Sequence, residues 1–256
     1  MFDTFAGLVT GDPLSEAASA RVFFDLLAEH APAAAPHRWG ISEPLDQPWT
    51  AGMPDERRWP GDWMVIWRPE SSSAAEGTVS PPPPAGAVNR VPRATASVAA
   101  DRTQVDPAAL VAFVRAAAVP LRAEYGYVHV ASEPDAVTAT PRSYGAVTRE
   151  DDGELSLSVS AYALVEDGIP ELLWGTVLGP AYVAMAGGPA VVESAPAAVV
   201  ERLGPDTYWL QVTAAPTDPL ADWPAFDAAR QKVKRHLGDD LFWAPGRTAR
   251  RRPEWT

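Results

Sequence analysis

The chain contains no cysteine. Disulfide frameworks, Cys–zinc sites, iron–sulfur clusters and cysteine nucleophiles are therefore excluded. Lysine occurs only at Lys232 and Lys234 and asparagine only at Asn89, against 19 arginines and 46 alanines. The bias runs through the whole chain, so it reads as the codon style of a G+C-rich genome and not as arginine chosen for one anion site. Imidazole chemistry is confined to His30, His37, His129 and His236, and no two of them stand four apart around an acid as a helical zinc motif requires. No Gly-x-Ser-x-Gly elbow is present, and Gly175–Gly179 has the wrong glycine spacing for a phosphate loop or a dinucleotide fingerprint. Apolar runs fall short of the roughly 18 to 20 residues that span a bilayer. The first twenty residues carry Asp3, Asp12 and Glu16 but neither Lys nor Arg, unlike a signal peptide. The expectation is a cytoplasmic protein without metal, cofactor or membrane partner.

What is present suits a substantial core. A chain of 256 residues with 46% hydrophobic content buries about 70% of its surface on folding. It reads as one domain with internal divisions: an N-terminal helix and Trp-rich portion (1–68), a Pro/Ser-rich loop (69–92), an α/β core (93–243) and a basic tail (244–256). The loop contains Ser71–Ser73 and the four prolines Pro81–Pro84, which favour polyproline II and cannot donate backbone hydrogen bonds. Val22, Phe23, Leu26 and Leu27 recur at helical spacing within Ser15–His30, and Asp106-Pro107 is a strong helix start. Strands are expected at Arg38–Ile41, Trp63–Trp67, Thr95–Ala99, Tyr127–Ala131, Leu155–Val159 and Tyr208–Val212. Helices are expected at Pro180–Ala186, Pro196–Leu203 and Pro224–Leu237. The fold class is α/β (α+β), a mixed β-sheet flanked by helices. Thr95–Ala99, the Asp106 helix and Tyr127–Ala131 together fit one crossover unit.

Charge is unevenly placed. Of the formal −12, residues 124–227 contribute 16 acids against Arg142, Arg149 and Arg202, whereas residues 228–256 hold three acids and eight bases. Such an acidic field repels nucleic acid and anionic membranes and steers basic partners. The acids of the two turns, Glu150, Asp151, Asp152 and Glu154, then Glu166, Asp167 and Glu171, are the candidate partner contacts. Glu150–Glu154 is contiguous, so it reads as a hairpin turn and not a calcium loop, which needs alternating acids. The arginines of the tail, Arg247, Arg250, Arg251 and Arg252, read as a solvated terminus. Trp39, Trp49, Trp59, Trp63 and Trp67 fall within 29 residues. Core filler is the favoured reading of that cluster; a ligand pocket, with His129 or an acid as base, is the alternative.

The stretch Leu173–Val183 (LWGTVLGPAYV), then Tyr208–Val212 (YWLQV), then Phe226, Arg230, Val233-Lys234, His236-Leu237-Gly238 and Phe242-Trp243, resembles the C-terminal half of bacterial toxin-immunity proteins. The likeness is to the immunity-protein-52 type and related type VI immunity families, and Leu121, Tyr125-Gly126-Tyr127 is compatible with it. It covers roughly residues 94–243 and rests on apolar and glycine positions. It implies a non-enzymatic, cytoplasmic α/β protein that binds and neutralises one partner toxin. No catalytic residues follow from it.

Overall fold

Seven residues near the start, Thr4–Thr10 (β1), are all buried, which only a strand covered on both faces can be. β1 lies between Ala94–Ala100 (β6) and Ala123–Val130 (β7), and it runs antiparallel to both. In the computed structural model, which describes residues 2–82, 93–132, 146–149, 155–158, 168–242 and 253–254, these strands centre a ten-stranded sheet. On the β6 side follow Ala75–Ser80 (β5), Val65–Arg68 (β4), Arg38–Gly40 (β2) and Gln47–Pro48 (β3). On the β7 side follow Gly175–Leu178 (β10), Thr207–Gln211 (β12) and Val199–Gly204 (β11). Ala146–Arg149 (β8) and Leu155–Ser158 (β9) form a separate antiparallel pair.

The α+β expectation holds, and every neighbouring pair in the large sheet is antiparallel. The crossover from β6 through Pro107–Ala118 (α2) to β7 does return in the same direction. Its two strands are parallel to each other only at one remove, because β1 is inserted between them. Asp106 caps α2 by accepting the Ala108 N–H at 2.9 Å, and Pro107 occupies the first turn.

Three expectations are corrected. Residues 69–92 are not wholly a loop: Ala75–Ser80 is β5, with Ala75, Gly77 and Val79 buried, and it pairs with both β4 and β6. Its alternating small residues supply a buried face without the bulk that marks a strand in sequence. Pro196–Leu203 is not a helix. Val199–Gly204 pairs with β12 across a tight turn at Pro205-Asp206, because Val199-Val200 is β-branched and Pro205 sets the turn. Trp63, placed in a buried strand by its apolar neighbours, is 65% exposed and precedes β4.

Helix Ala17–His30 (α1) meets α2 through Phe23 and Phe113, whose ring centroids are 5.2 Å apart and edge-on. Phe23 and Phe24 both touch Trp67, and Phe24 also meets Trp49 and Trp59. The short helices Pro180–Met185 (α3) and Pro189–Glu193 (α4) link β10 to β11, and Asp218–Ala221 (α5) and Trp223–Leu237 (α6) follow β12. Asp222 caps α6 through the Ala225 N–H, and Lys234, Arg235 and His236 lie at its negative end.

Candidate functional site

The acids expected to meet a partner divide sharply. Glu150, Asp151, Asp152, Glu154, Glu166 and Asp167 lie outside the described residues; the run 150–154 joins β8 to β9. Glu171 is described and is committed inside the chain. Its Oε1 accepts from Lys234 Nζ at 2.7 Å and from the Leu172 N–H at 2.8 Å, while its carbonyl accepts the Tyr125 hydroxyl. The Lys234 ammonium also lies over the Phe242 ring. Glu171 therefore ties β7 to α6.

Four of the five clustered tryptophans belong to the core, and Trp63 does not. Trp39, Trp59 and Trp67 are buried, and Trp49 packs against the same core. The Trp59 Nε1–H donates to the Leu14 carbonyl at 2.9 Å and the Trp67 Nε1–H to the Ala34 carbonyl at 3.3 Å. These two indoles are held by ring contacts and by their polar edge, as core tryptophans are. His129 is a buried strand histidine whose Nδ1 accepts the Trp174 N–H at 3.3 Å, with Phe226 against its ring.

The place where unusual features converge was not singled out by sequence. Thr10 pairs with Ala123 and Val9 with Tyr125, so Glu124 is an extra residue in β7. Such a bulge re-aims a side chain and is common beside functional sites. Two residues earlier, Arg122 has φ +48°, left-handed backbone that a non-glycine residue holds only when its surroundings fix it. Here its amide donates to Val119, its carbonyl accepts from Gly11, and its Nε donates to Asp12 Oδ1 at 2.6 Å. On the far side, Gly179 donates to the Glu124 carbonyl at 2.8 Å. A Cβ on Gly179 would stand 2.2 Å from the Ala123 oxygen, so only glycine permits that approach.

These elements surround a cleft of about 140 Å³ bordered by Gly11, Val119, Arg122, Glu124, Pro180 and Thr207. Val119 and Pro180 supply apolar walls, Arg122 a charged rim, and Glu124 a buried acid. The Glu124 side chain is 7% exposed and that of Arg93, whose Nη2 donates to Glu124 Oε1 at 3.3 Å, is 9%. Burial pushes the Glu124 carboxyl above its ordinary value; Arg93 opposes that shift, and the Ala181 amide and Arg122 oppose it further. No hydrogen bond from a described residue reaches Glu124 Oε2. Tyr182, fully buried nearby, has its phenol pushed well up, first by burial and then by the Glu124 charge. The signal that could have found the site is one acid inside the otherwise apolar run Ala123–Val130.

Among the described residues no cluster of His, Asp and Glu could hold a metal ion, and no helix is long and apolar enough to cross a membrane. No family model matches the chain, and no curated protein is similar to it. Among solved structures it is similar in fold to the Pseudomonas aeruginosa T6SS protein PA0821, with a TM-score of 0.53 and 14% identity over 96% of this chain and 85% of that one. At that identity the likeness is one of fold.

Proposed function

We propose that this chain is an immunity protein that neutralises a cognate bacterial toxin by stoichiometric binding through an acidic surface, without catalysing a reaction itself. The partner is a basic toxin domain met in the cytoplasm. One observation carries the reading: the acidic excess of residues 124–227 is concentrated in one stretch. Most described acids of this segment are already engaged. Glu171 holds Lys234, Glu201 holds Arg115, Asp227 holds Arg230, Glu193 accepts the Tyr208 hydroxyl, and Asp218 and Asp222 accept backbone amides. Half of the segment's 16 acids belong instead to residues 133–167, against only Arg142 and Arg149. A net negative stretch of that density steers a basic partner and speeds its association. The fold shared with a T6SS protein supports a type VI related role.

The experiment is capture from the native bacterium at low and high salt, followed by kinetics on the protein retained. One near-stoichiometric partner, toxic when expressed alone, is expected. Reversing Glu150, Asp151 and Asp152 together to lysine should slow its association about tenfold at low salt and flatten the salt dependence. An unchanged rate and salt slope would remove these acids from the interface.

A further inference from the structure

We propose that the free edge of β11 is a docking site for an extended strand of a basic protein partner, which pairs with β11 and lengthens the sheet. The partner's identity rests on the toxin-binding reading; the site itself follows from the sheet. An open sheet has two edges, and an unpaired edge is a template for any chain that reaches it. Here the two edges differ. At one end β3 is only two residues long and closes in Pro48, which has no amide to offer. At the other, β11 runs six residues, contains neither proline nor lysine, and among the described residues has no strand on its outer side.

Backbone alternation decides which groups the edge presents. The Gly179 amide donates to the Glu124 carbonyl and the Val212 amide to the Trp174 carbonyl, at 2.8 Å each, just past the ends of β10 and β12. In an antiparallel ladder each residue turns both its N–H and its C=O to one neighbouring strand, and the next residue turns to the other. Carried through the registers of β10, β12 and β11, these two bonds direct Val199 and Glu201 toward β12 and leave Val200 and Arg202 facing outward. Among the described residues nothing bonds those outward groups. The side-chain charges of the strand are drawn off the edge, Glu201 by Arg115 of α2 and Arg202 by the Gly204 and Pro205 carbonyls. Apolar shoulders flank it instead. Val199 is 36% exposed and Val119 is 42% exposed, and a Cβ on Gly204 would stand 3.1 Å from the Val119 side chain. Main-chain bonds supply affinity in strand addition and alternate side chains supply specificity, so the incoming strand should carry apolar residues at every second position.

Charge selects among the occupants. β11 lies within residues 124–227, which hold 16 acids against three arginines, so a basic segment is attracted and a second copy of this chain, at −12, is repelled. Symmetry acts in the same direction. Two copies meeting about a two-fold axis would pair β11 antiparallel, and one residue would then face itself. Registers centred on Glu201 or Arg202 set like charges across, and the register centred on Val200 leaves Leu203 and Gly204 unpaired. The occupant is therefore a strand of another protein.

Proline substitutions along β11 test the site, with kinetics measured on the protein retained from the native bacterium. Val200→Pro removes an outward amide, so it should leave Tm close to wild type while speeding dissociation of the partner about tenfold or more. Val200→Ala keeps that amide and should bind much as wild type does. Glu201→Pro removes an amide that bonds β12 and should lower Tm sharply. Amide hydrogen exchange in the free chain should be fast at Val200 and Arg202 and slow at Glu201, with the first two slowed in the complex. Equal loss of Tm in the two proline variants, slow exchange at Val200 in the free monomer, or unchanged dissociation with Val200→Pro would overturn the docking site. So would a dimer in sedimentation that Val200→Pro dissolves, which assigns the edge to self-pairing, or a wild-type chain that retains no protein lost by Val200→Pro. The two readings fail separately. A toxic, Glu150-dependent partner indifferent to Val200→Pro removes the docking site and leaves the immunity reading standing. A non-toxic partner released by Val200→Pro keeps the docking site and removes the immunity reading.

Discussion

Glu124 has a consequence for stability that its ion pair conceals. Burial raises its folded pKa above the unfolded value of an ordinary glutamate, despite the opposing Arg93 charge. The folded state therefore binds this proton more tightly than the unfolded state does. The contribution is fully present below the unfolded pKa and is lost as pH rises through the folded one, at about 1.4 kcal/mol for each pH unit separating the two. Urea denaturation of wild type and Glu124→Gln between pH 4.5 and 7.5 should show this difference falling as pH rises, with the glutamine variant flatter. A difference growing with pH would mean that Arg93 outweighs burial. Arg122 offers a second check at this scale. Its left-handed backbone costs of order 1–3 kcal/mol in strain, while its exposed pair with Asp12 contributes under about 1 kcal/mol. Arg122→Gly should therefore leave stability unchanged or slightly raised in the same denaturation.

At the scale of elements, aromatic rings laid over glycines recur in the sheet. Gly77 pairs with Trp67, and a Cβ there would stand 2.0 Å from the indole; Gly7 pairs with Tyr127, with 2.6 Å to its ring. Trp67 in turn supports Phe23 and Phe24 of α1, so the β4–β5 contact positions the helix. Gly77→Ala should destabilise by about 1–3 kcal/mol through overpacking, lowering Tm by several degrees in calorimetry, and Trp67→Phe should relieve part of that cost in the double variant. These pairings also explain what was legible beforehand. Helices α1, α2 and α6 show 3.6-residue periodicity within their own residues, and α2 and α6 add side-chain caps, so local chemistry reveals them. β5 is built mostly from small residues, and β1 mixes Phe5, Leu8 and Val9 with Ala6 and Gly7; the burial of both comes from neighbours distant in sequence. β11 carries Val-Val-Glu-Arg-Leu, a pattern that satisfies both periods, and only β12 decides between them. The same limit hid the cleft: Glu124 was visible as an acid in an apolar strand, but Arg93, Gly11 and Thr207 reach it only through the topology.

At the scale of the molecule, the divisions suggested by composition do not follow the pairing. Residues 93–243 are expected to form the α/β core by themselves, yet β6 and β7 do not pair with each other within that stretch; β1, from the first ten residues, joins them. Removing β1 would expose two facing edges in the middle of the sheet, along fourteen residue pairs, with their backbone donors and acceptors unpaired. It would also uncover one wall of the cleft, since Gly11 follows β1 directly. A fragment comprising residues 93–243 should therefore lack cooperative unfolding and aggregate, although it contains most of the later strands, both longer helices after α1 and the acidic stretch. The full chain should unfold in a single transition whether followed by far-ultraviolet dichroism or by tryptophan fluorescence, because one sheet couples the Trp-rich portion to the rest. A cooperative, soluble 93–243 fragment would show that β6 and β7 can close on each other directly. Its affinity for the proposed partner would then decide whether the N-terminal half serves binding or only holds β6 and β7 apart.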